Sequence, residues 1–255
     1  MLTTGENGSL YTKIENKIAT IEFGHPASNS FPSELLERLR MEFQNLSDDE
    51  SVHVIILKSE GEKAFCAGAS FDELMAIENM QQGKLFFSGF ANVINAMRNC
   101  KKLIVGRIQG KTVGGGVGLA AACDYAMATE AATIKLSELS IGIGPFVIAP
   151  AVERKMGVAA LAELTLAAHE WKNAYWAQEK GLYARVFESV NDLDKEIAIF
   201  TKKLASYNPE ALFEMKKILW ENTENWENLL QERAAISGEL VLSDFTKKAL
   251  EKFNK

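Results

Sequence analysis

The run Val52-His53-Val54-Ile55-Ile56-Leu57 is almost wholly branched and apolar, the pattern of a strand covered on both faces. A shorter strand pattern, Ile18 to Phe23, precedes it. Between the two, Leu35, Leu36, Leu39, Phe43 and Leu46 recur at helical spacing behind Ser30, Pro32 and Ser33, which supply helix-start chemistry. Strand, helix and strand in that order favour a right-handed crossover and a largely parallel sheet. The alternation continues with a helix from about Lys84 to Asn99, a strand from Leu103 to Gln109, a Gly-rich turn, a short helix from Val117 to Cys123 and a strand near Tyr125 to Ala128. From Ala159 the pattern turns helical: Ala159 to Ala167, Asn173 to Lys180 ending at Gly181, Leu193 to Tyr207, Pro209 to Glu221, Trp226 to Ser237 and Asp244 to Phe253. No Pro/Ser linker separates these helices from the rest, so they are expected to pack on the core or on another subunit. The chain divides into an α/β core over residues 1–190 and a helical region over 191–255.

A chain of 255 residues, 47% hydrophobic and 24% charged, is neither disordered nor collagenous and can bury a large core. Its 28 basic against 34 acidic residues give a net charge of -6, which disfavours nucleic acid and anionic lipid as partners. Cys66, Cys100 and Cys123 form no CxxC pair, as expected of reduced thiols in a cytosolic protein. Met1 to Leu10 lacks a basic stretch followed by an apolar one, so the expected location is the cytoplasm. The charge-free runs Val113–Cys123 and Ile141–Val152 are shorter than the roughly 18 apolar residues of a membrane span. His25, His53 and His169 stand apart from one another, so no metal is expected. Trp171, Trp176, Trp220 and Trp226 lie in the helical third and are expected to pack helices or a subunit interface.

Three segments carry small residues where strands end or break: Ala64-Phe65-Cys66-Ala67-Gly68-Ala69, Gly110 to Gly118, and Leu136-Ser137-Glu138-Leu139. Ligands of open α/β sheets gather at the carboxyl ends of strands. Gly114-Gly115-Gly116 directly before a helix leaves backbone amides unobstructed at the positive end of the helix, which is half of an oxyanion hole; close packing of the helix on a strand explains a lone glycine triplet equally well. A second small-residue turn, Cys66 to Ala69, tilts the balance, because two amides from different loops are what polarises a carbonyl. Gly116-Val117-Gly118-Leu119-Ala120-Ala121 also fits a loose dinucleotide fingerprint, with Glu138 twenty residues on. However, the preceding strand ends near Gln109, too early for that motif.

In order along the chain, Pro26 and Asn29, the Ala64–Ala69 block, Gly110 with Gly114-Gly115-Gly116, Ala122-Cys123-Asp124, Ser137-Glu138-Leu139-Ser140-Ile141-Gly142 and Gly144-Pro145 resemble successive blocks of the enoyl-CoA hydratase/isomerase, or crotonase, superfamily. The resemblance runs from about Ile14 to the end of the C-terminal helices. It implies a core of repeated ββα units with a C-terminal helical trimerisation region, assembled as a homotrimer or homohexamer. It also implies an acyl-CoA substrate, coenzyme A being part of the substrate and no separate cofactor being needed. The thioester oxygen would accept hydrogen bonds from the amides of Ala69 and Gly115. Ala67 would meet the adenine end through its carbonyl, with Gly68, Gly114 and Gly118 also at the substrate. The basic end, Lys247 to Lys255, would be either a solvated helix end or a contact to the phosphates of a neighbour's coenzyme A.

Hydratases of this kind use two glutamates, one six residues before the Asp of Ala-Cys-Asp and one fourteen after it. Here the second is Glu138, the acid/base, and the first position is Gly118. Asp72, Glu73, Glu130 and Glu153 lie near the motifs and are candidate substitutes. Ser70, where many relatives carry Asp, and Phe146, where they often carry Gly, suggest a reshaped acyl pocket. The expected activity is hydration of a 2-enoyl-CoA in fatty or branched-chain acyl-CoA breakdown. The alternatives are double-bond isomerisation by a single glutamate, which needs one base and not two, and a weakly catalytic CoA-binding protein.

Overall fold

In a computed structural model, which describes residues 7–252, strands β1 (Ser9–Glu15) and β2 (Ile18–Gly24) form an antiparallel hairpin that leads into helix α1 (Ser33–Asp48) and β3 (Val54–Ser59). There follow β4 (Ala64–Cys66), α2 (Phe71–Met75), α3 (Met80–Asn99), β5 (Leu103–Ile108), β6 (Lys111–Val113), α4 (Gly115–Ala122), β7 (Tyr125–Thr129) and β8 (Ile134–Lys135). A 3-10 turn over Glu138–Ile141 precedes α5 (Ala149–Leu166), α6 (Ala174–Glu179), β9 (Arg185–Phe187), α7 (Val190–Ala205), α8 (Pro209–Leu219), α9 (Trp226–Leu240) and α10 (Asp244–Glu251). Phe253 and the last two residues of the basic end lie outside the described residues.

Two sheets result. The larger has the order β1-β2-β3-β5-β7-β9 and is parallel from β2 onward; the smaller, β4-β6-β8, is parallel throughout. The Val52–Leu57 run behaves as a strand covered on both faces. Ile55 and Leu57 join the main core with α1 and α3, whereas Val54 and Ile56 pack with Leu193 and Ile197 of α7 on the other side. The buried face of α1 consists of Leu35, Leu36, Leu39, Phe43 and Leu46, the five residues whose spacing defines it. Its start differs from the expectation: Pro32 is the N-cap and gives no side-chain bond, and Glu73 of α2 accepts from the Ser33 N–H at 3.0 Å instead. The helix expected over 159–167 begins ten residues earlier, because α5 starts at Ala149 and runs through a break at Gly157, where φ is 80°.

The C-terminal helices share the core with the sheet. Leu230 and Ala234 of α9 are fully buried in the main cluster, and α9 packs along α3. Trp220 and Trp226 meet edge to face at 5.7 Å inside it, while Trp171 is exposed with the Lys111 and Lys135 ammonium groups over its ring. All three cysteines are free and buried, and burial pushes the Cys66 and Cys123 thiols up to about 12. Among the described residues no helix is long and apolar enough to cross a membrane.

Asp124 of the Ala-Cys-Asp block is a tie between these parts. One carboxylate oxygen accepts from the Ile104 N–H at 2.7 Å and lies 3.1 Å from Lys216 Nζ. The other accepts from Trp220 Nε1 at 2.7 Å, and both charged side chains are only 3% exposed. Asp124→Ala leaves the Lys216 ammonium buried without its counter-charge, and the expected loss is about 3–5 kcal/mol, measured by urea denaturation.

Candidate active site

The three small-residue segments follow three adjacent strands of the small sheet. β4 runs into Ala67-Gly68-Ala69, β6 into Gly114-Gly115, and β8 into Ser137-Glu138. Their carboxyl ends converge because the strands are parallel and neighbours, which is where such sheets collect ligands. The main-sheet strands visible in the sequence therefore lie one step upstream of the elements that aim the site.

Among the described residues, backbone bonding leaves the amides of Ala69 and Gly115 free. Phe31 N–H donates to Gly68 O at 2.8 Å and Ser70 N–H to Phe31 O at 2.9 Å, skipping Ala69; Gly114 N–H donates to Lys135 O at 3.0 Å, and Gly115 opens α4 with no carbonyl behind it to accept. Among the described residues neither the Ala69 N–H nor the Gly115 N–H has a hydrogen-bond partner. Gly68 has φ +92°, and a Cβ there would lie 3.3 Å from Val113 O and 3.6 Å from Gly115 N, so the two loops touch at this glycine. Two unpaired amides from touching loops, one at the positive end of a helix, can hold an oxyanion.

Glu138 stands beside them. Its Oε2 is sealed from solvent and has no hydrogen-bond partner, and burial pushes its pKa up to about 7, countered in part by its own backbone N–H. Oε1 lies against Gly114, where a Cβ would approach it to 2.9 Å. Gly114 also holds φ 53° and ψ -120°, a conformation for glycine. Gly114→Ala should therefore displace the carboxylate: we expect turnover to fall at least 100-fold and stability to drop by about 1–3 kcal/mol, measured by steady-state kinetics and thermal melting.

A cavity of about 170 Å³ opens at this point. Ala67, Gly68, Ala69, Gly114, Gly115 and Glu138 all line it. Its remaining walls are mostly apolar, with Phe86, Phe87 and Phe90 from α3 and Phe146 and Ile148 from the segment before α5. Gly118 is the exception among the expected site residues. It is buried away from the cavity lining, and a Cβ there would lie 2.4 Å from Ile148 Cγ2 and 2.7 Å from Ile148 Cβ. The room a side chain at position 118 would need is filled by Ile148, so Gly118 serves packing and does not touch the cavity.

None of the candidate substitute acids reaches the cavity either. Asp72 and Glu153 are exposed, Glu73 holds Ser33, and Glu130 accepts from the Tyr175 hydroxyl. Among the described residues Glu138 is the one titratable side chain lining the cavity. Ser70 is also redirected: its hydroxyl caps α2 by accepting from the Glu73 N–H at 3.3 Å, leaving the reshaping of the pocket to Phe146. The sequence reading missed Ile148, Ser237 and the α3 phenylalanines. The cluster Phe86-Phe87-Ser88-Gly89-Phe90 was the available signal for the last of these.

The enoyl-CoA hydratase/isomerase family model matches residues 13–253. The chain is 26% identical over 242 residues to a probable enoyl-CoA hydratase of Bacillus subtilis, covering 94% of this chain and 93% of that one. It is 27% identical over 195 residues to the peroxisomal Delta(3,5)-Delta(2,4)-dienoyl-CoA isomerase of Arabidopsis thaliana, covering 71% and 68%. The crystal structure of an enoyl-CoA hydratase from Bacillus halodurans superposes with a TM-score of 0.88 at 21% identity, covering 95% of this chain and 99% of that one, which shows the shared fold. With the family model spanning nearly the whole chain, this protein belongs to the enoyl-CoA hydratase/isomerase family of enzymes.

Proposed function

We propose that the protein isomerises the double bond of an enoyl-CoA, with Glu138 as the only proton carrier. The observation that supports this is the single carboxylate that the described residues bring to the cavity, Ile148 filling the room beside Gly118. In this reading the Glu138 carboxylate takes a proton from C2 of a 3-enoyl thioester. The C–H electron pair moves toward the thioester oxygen, which the amides of Ala69 and Gly115 stabilise as an oxyanion. The dienolate then takes the same proton back at C4, and the double bond comes to rest between C2 and C3. Proton count and charge balance with no water consumed and no cofactor beyond the coenzyme A of the substrate. The apolar walls keep the enolate from bulk water and account for the raised pKa of the acid.

Hydration of a 2-enoyl-CoA is the second reading, supported by the name of the Bacillus subtilis relative that covers nearly the whole chain. Product analysis separates the two. With 3-enoyl-CoA, isomerisation gives conjugated thioester absorbance at unchanged mass; with 2-enoyl-CoA, loss of absorbance with the mass of one water added would establish hydration instead. The same family reading takes the protein as a cytoplasmic homotrimer or homohexamer. The exposed Val158 and Leu166 of α5 and Ile218 of α8 are consistent with buried subunit contacts.

The base form of Glu138 begins this cycle, so kcat/KM should rise about tenfold per pH unit on the acid side and level off above about pH 7, where burial places the group. A rate that is flat from pH 5 to 8 would remove Glu138 from the role of base.

A further inference from the structure

Ser237 is a polar residue on an apolar stripe. Trp226, Leu230, Ala234, Ser237 and Gly238 form the buried face of α9, and Ser237 itself is 1% exposed. A helical serine hydroxyl commonly bonds back to a carbonyl one turn earlier. Here, among the described residues, the Ser237 hydroxyl has no hydrogen-bond partner, and the residue lines the cavity that holds Glu138. The hydroxyl faces the cavity and is not sealed from water, so a chain that fills the cavity and displaces that water leaves it unpaired unless the chain supplies a partner.

Its position is fixed by the backbone. Gly83 of α3 and Gly238 of α9 meet with so little space that a Cβ at Gly83 would lie 2.8 Å from Gly238 Cα. The two helices cannot come closer, and neither can separate without opening the core they share, so the residue next to Gly238 is held at the cavity wall. Among the described residues the only other polar side chains on the lining are Ser137 and Glu138, adjacent in sequence. Among the described residues no Lys, Arg or His lines the cavity, which leaves Ser237 suited to an uncharged partner.

We infer that Ser237 selects acyl groups bearing an uncharged hydrogen-bonding substituent, a hydroxyl or keto oxygen, over plain hydrocarbon chains. This rests on the acyl-CoA reading above and narrows its substrate class. A cavity of about 170 Å³ suits a chain of about six carbons, since a 150 Å³ engineered cavity takes up benzene.

The test is calorimetric binding of saturated, unreactive thioesters: hexanoyl-CoA against its 4-, 5- and 6-hydroxy isomers, on the wild type, Ser237→Ala and Ser237→Thr. We expect one isomer to bind the wild type about tenfold more tightly than hexanoyl-CoA, the ratio to fall to about one in Ser237→Ala, and Ser237→Thr to retain it. Binding of hexanoyl-CoA with no isomer preferred, or a preference that survives Ser237→Ala, overturns the role of Ser237 alone. Failure to bind any of the four overturns the acyl-CoA reading and this inference with it. Because the ligands are unreactive, neither result depends on which reaction the enzyme catalyses.

Discussion

Glu138→Gln should reduce turnover of an enoyl-CoA about 10²–10⁴-fold while making the ligand-free protein more stable above pH 7. The two effects share one cause. A carboxyl whose folded pKa is raised from 4.5 to about 7 binds its proton more tightly folded than unfolded. Its contribution to stability is therefore intact below pH 4.5 and is lost as pH rises to about 7, after which the loss is complete. Gln has no proton to lose and keeps the shape, so its advantage should open between pH 4.5 and 7 and reach about 2–3 kcal/mol at pH 8. Denaturant midpoints at pH 4 and pH 8 check this. A stabilising substitution that destroys activity is the mark of a group held in an unfavourable state for function.

The second large effect concerns the missing carboxylate. Gly118→Glu alone drives a Cβ to within 2.4 Å of Ile148 and buries a carboxyl beside it, and the expected cost is about 3 kcal/mol or more. Ile148→Ala alone empties part of the wall and costs about 2–5 kcal/mol. Ile148→Ala removes Cγ2, the closer contact at 2.4 Å, and leaves the Cβ at 2.7 Å to be relieved by a small shift, so the double variant should be more stable than the sum of the singles by at least about 1 kcal/mol. The double variant presents a second carboxylate toward the cavity, and it should gain hydration of 2-enoyl-CoA relative to isomerisation of 3-enoyl-CoA. A denaturation cycle and product ratios on both substrates measure the two expectations. Additive stabilities would mean that Ile148 does not occupy the place of a side chain at 118.

What the sequence made legible and what it hid follow from how local each feature is. The Val52–Leu57 run, the α1 spacing and the glycines that open α4 are written in consecutive residues, and the strand and the short helix lie within two residues of where the sequence puts them. Strand β1 was hidden because no residue in it is fully buried, so it has no apolar alternation to show. Strands β4, β6 and β8 have three, three and two residues, too few for a period of two, yet they aim all three site segments. The cap on α1 comes from Glu73, forty residues away, and Ile148 reaches Gly118 from thirty residues downstream. Such contacts are set by tertiary packing alone. The missing glutamate could be read at Gly118, but what fills its place could not.

The central claim is that Glu138 alone exchanges the C2 proton of a thioester held by the amides of Ala69 and Gly115. The most direct measurement is deuterium incorporation at C2 of hexanoyl-CoA incubated with the enzyme in deuterated water, followed by mass spectrometry. Hexanoyl-CoA has no double bond to move or hydrate, so exchange reports enolisation alone. We expect exchange catalysed by the wild type and lost in Glu138→Gln. Exchange that continues unchanged in a folded Glu138→Gln protein would contradict the account.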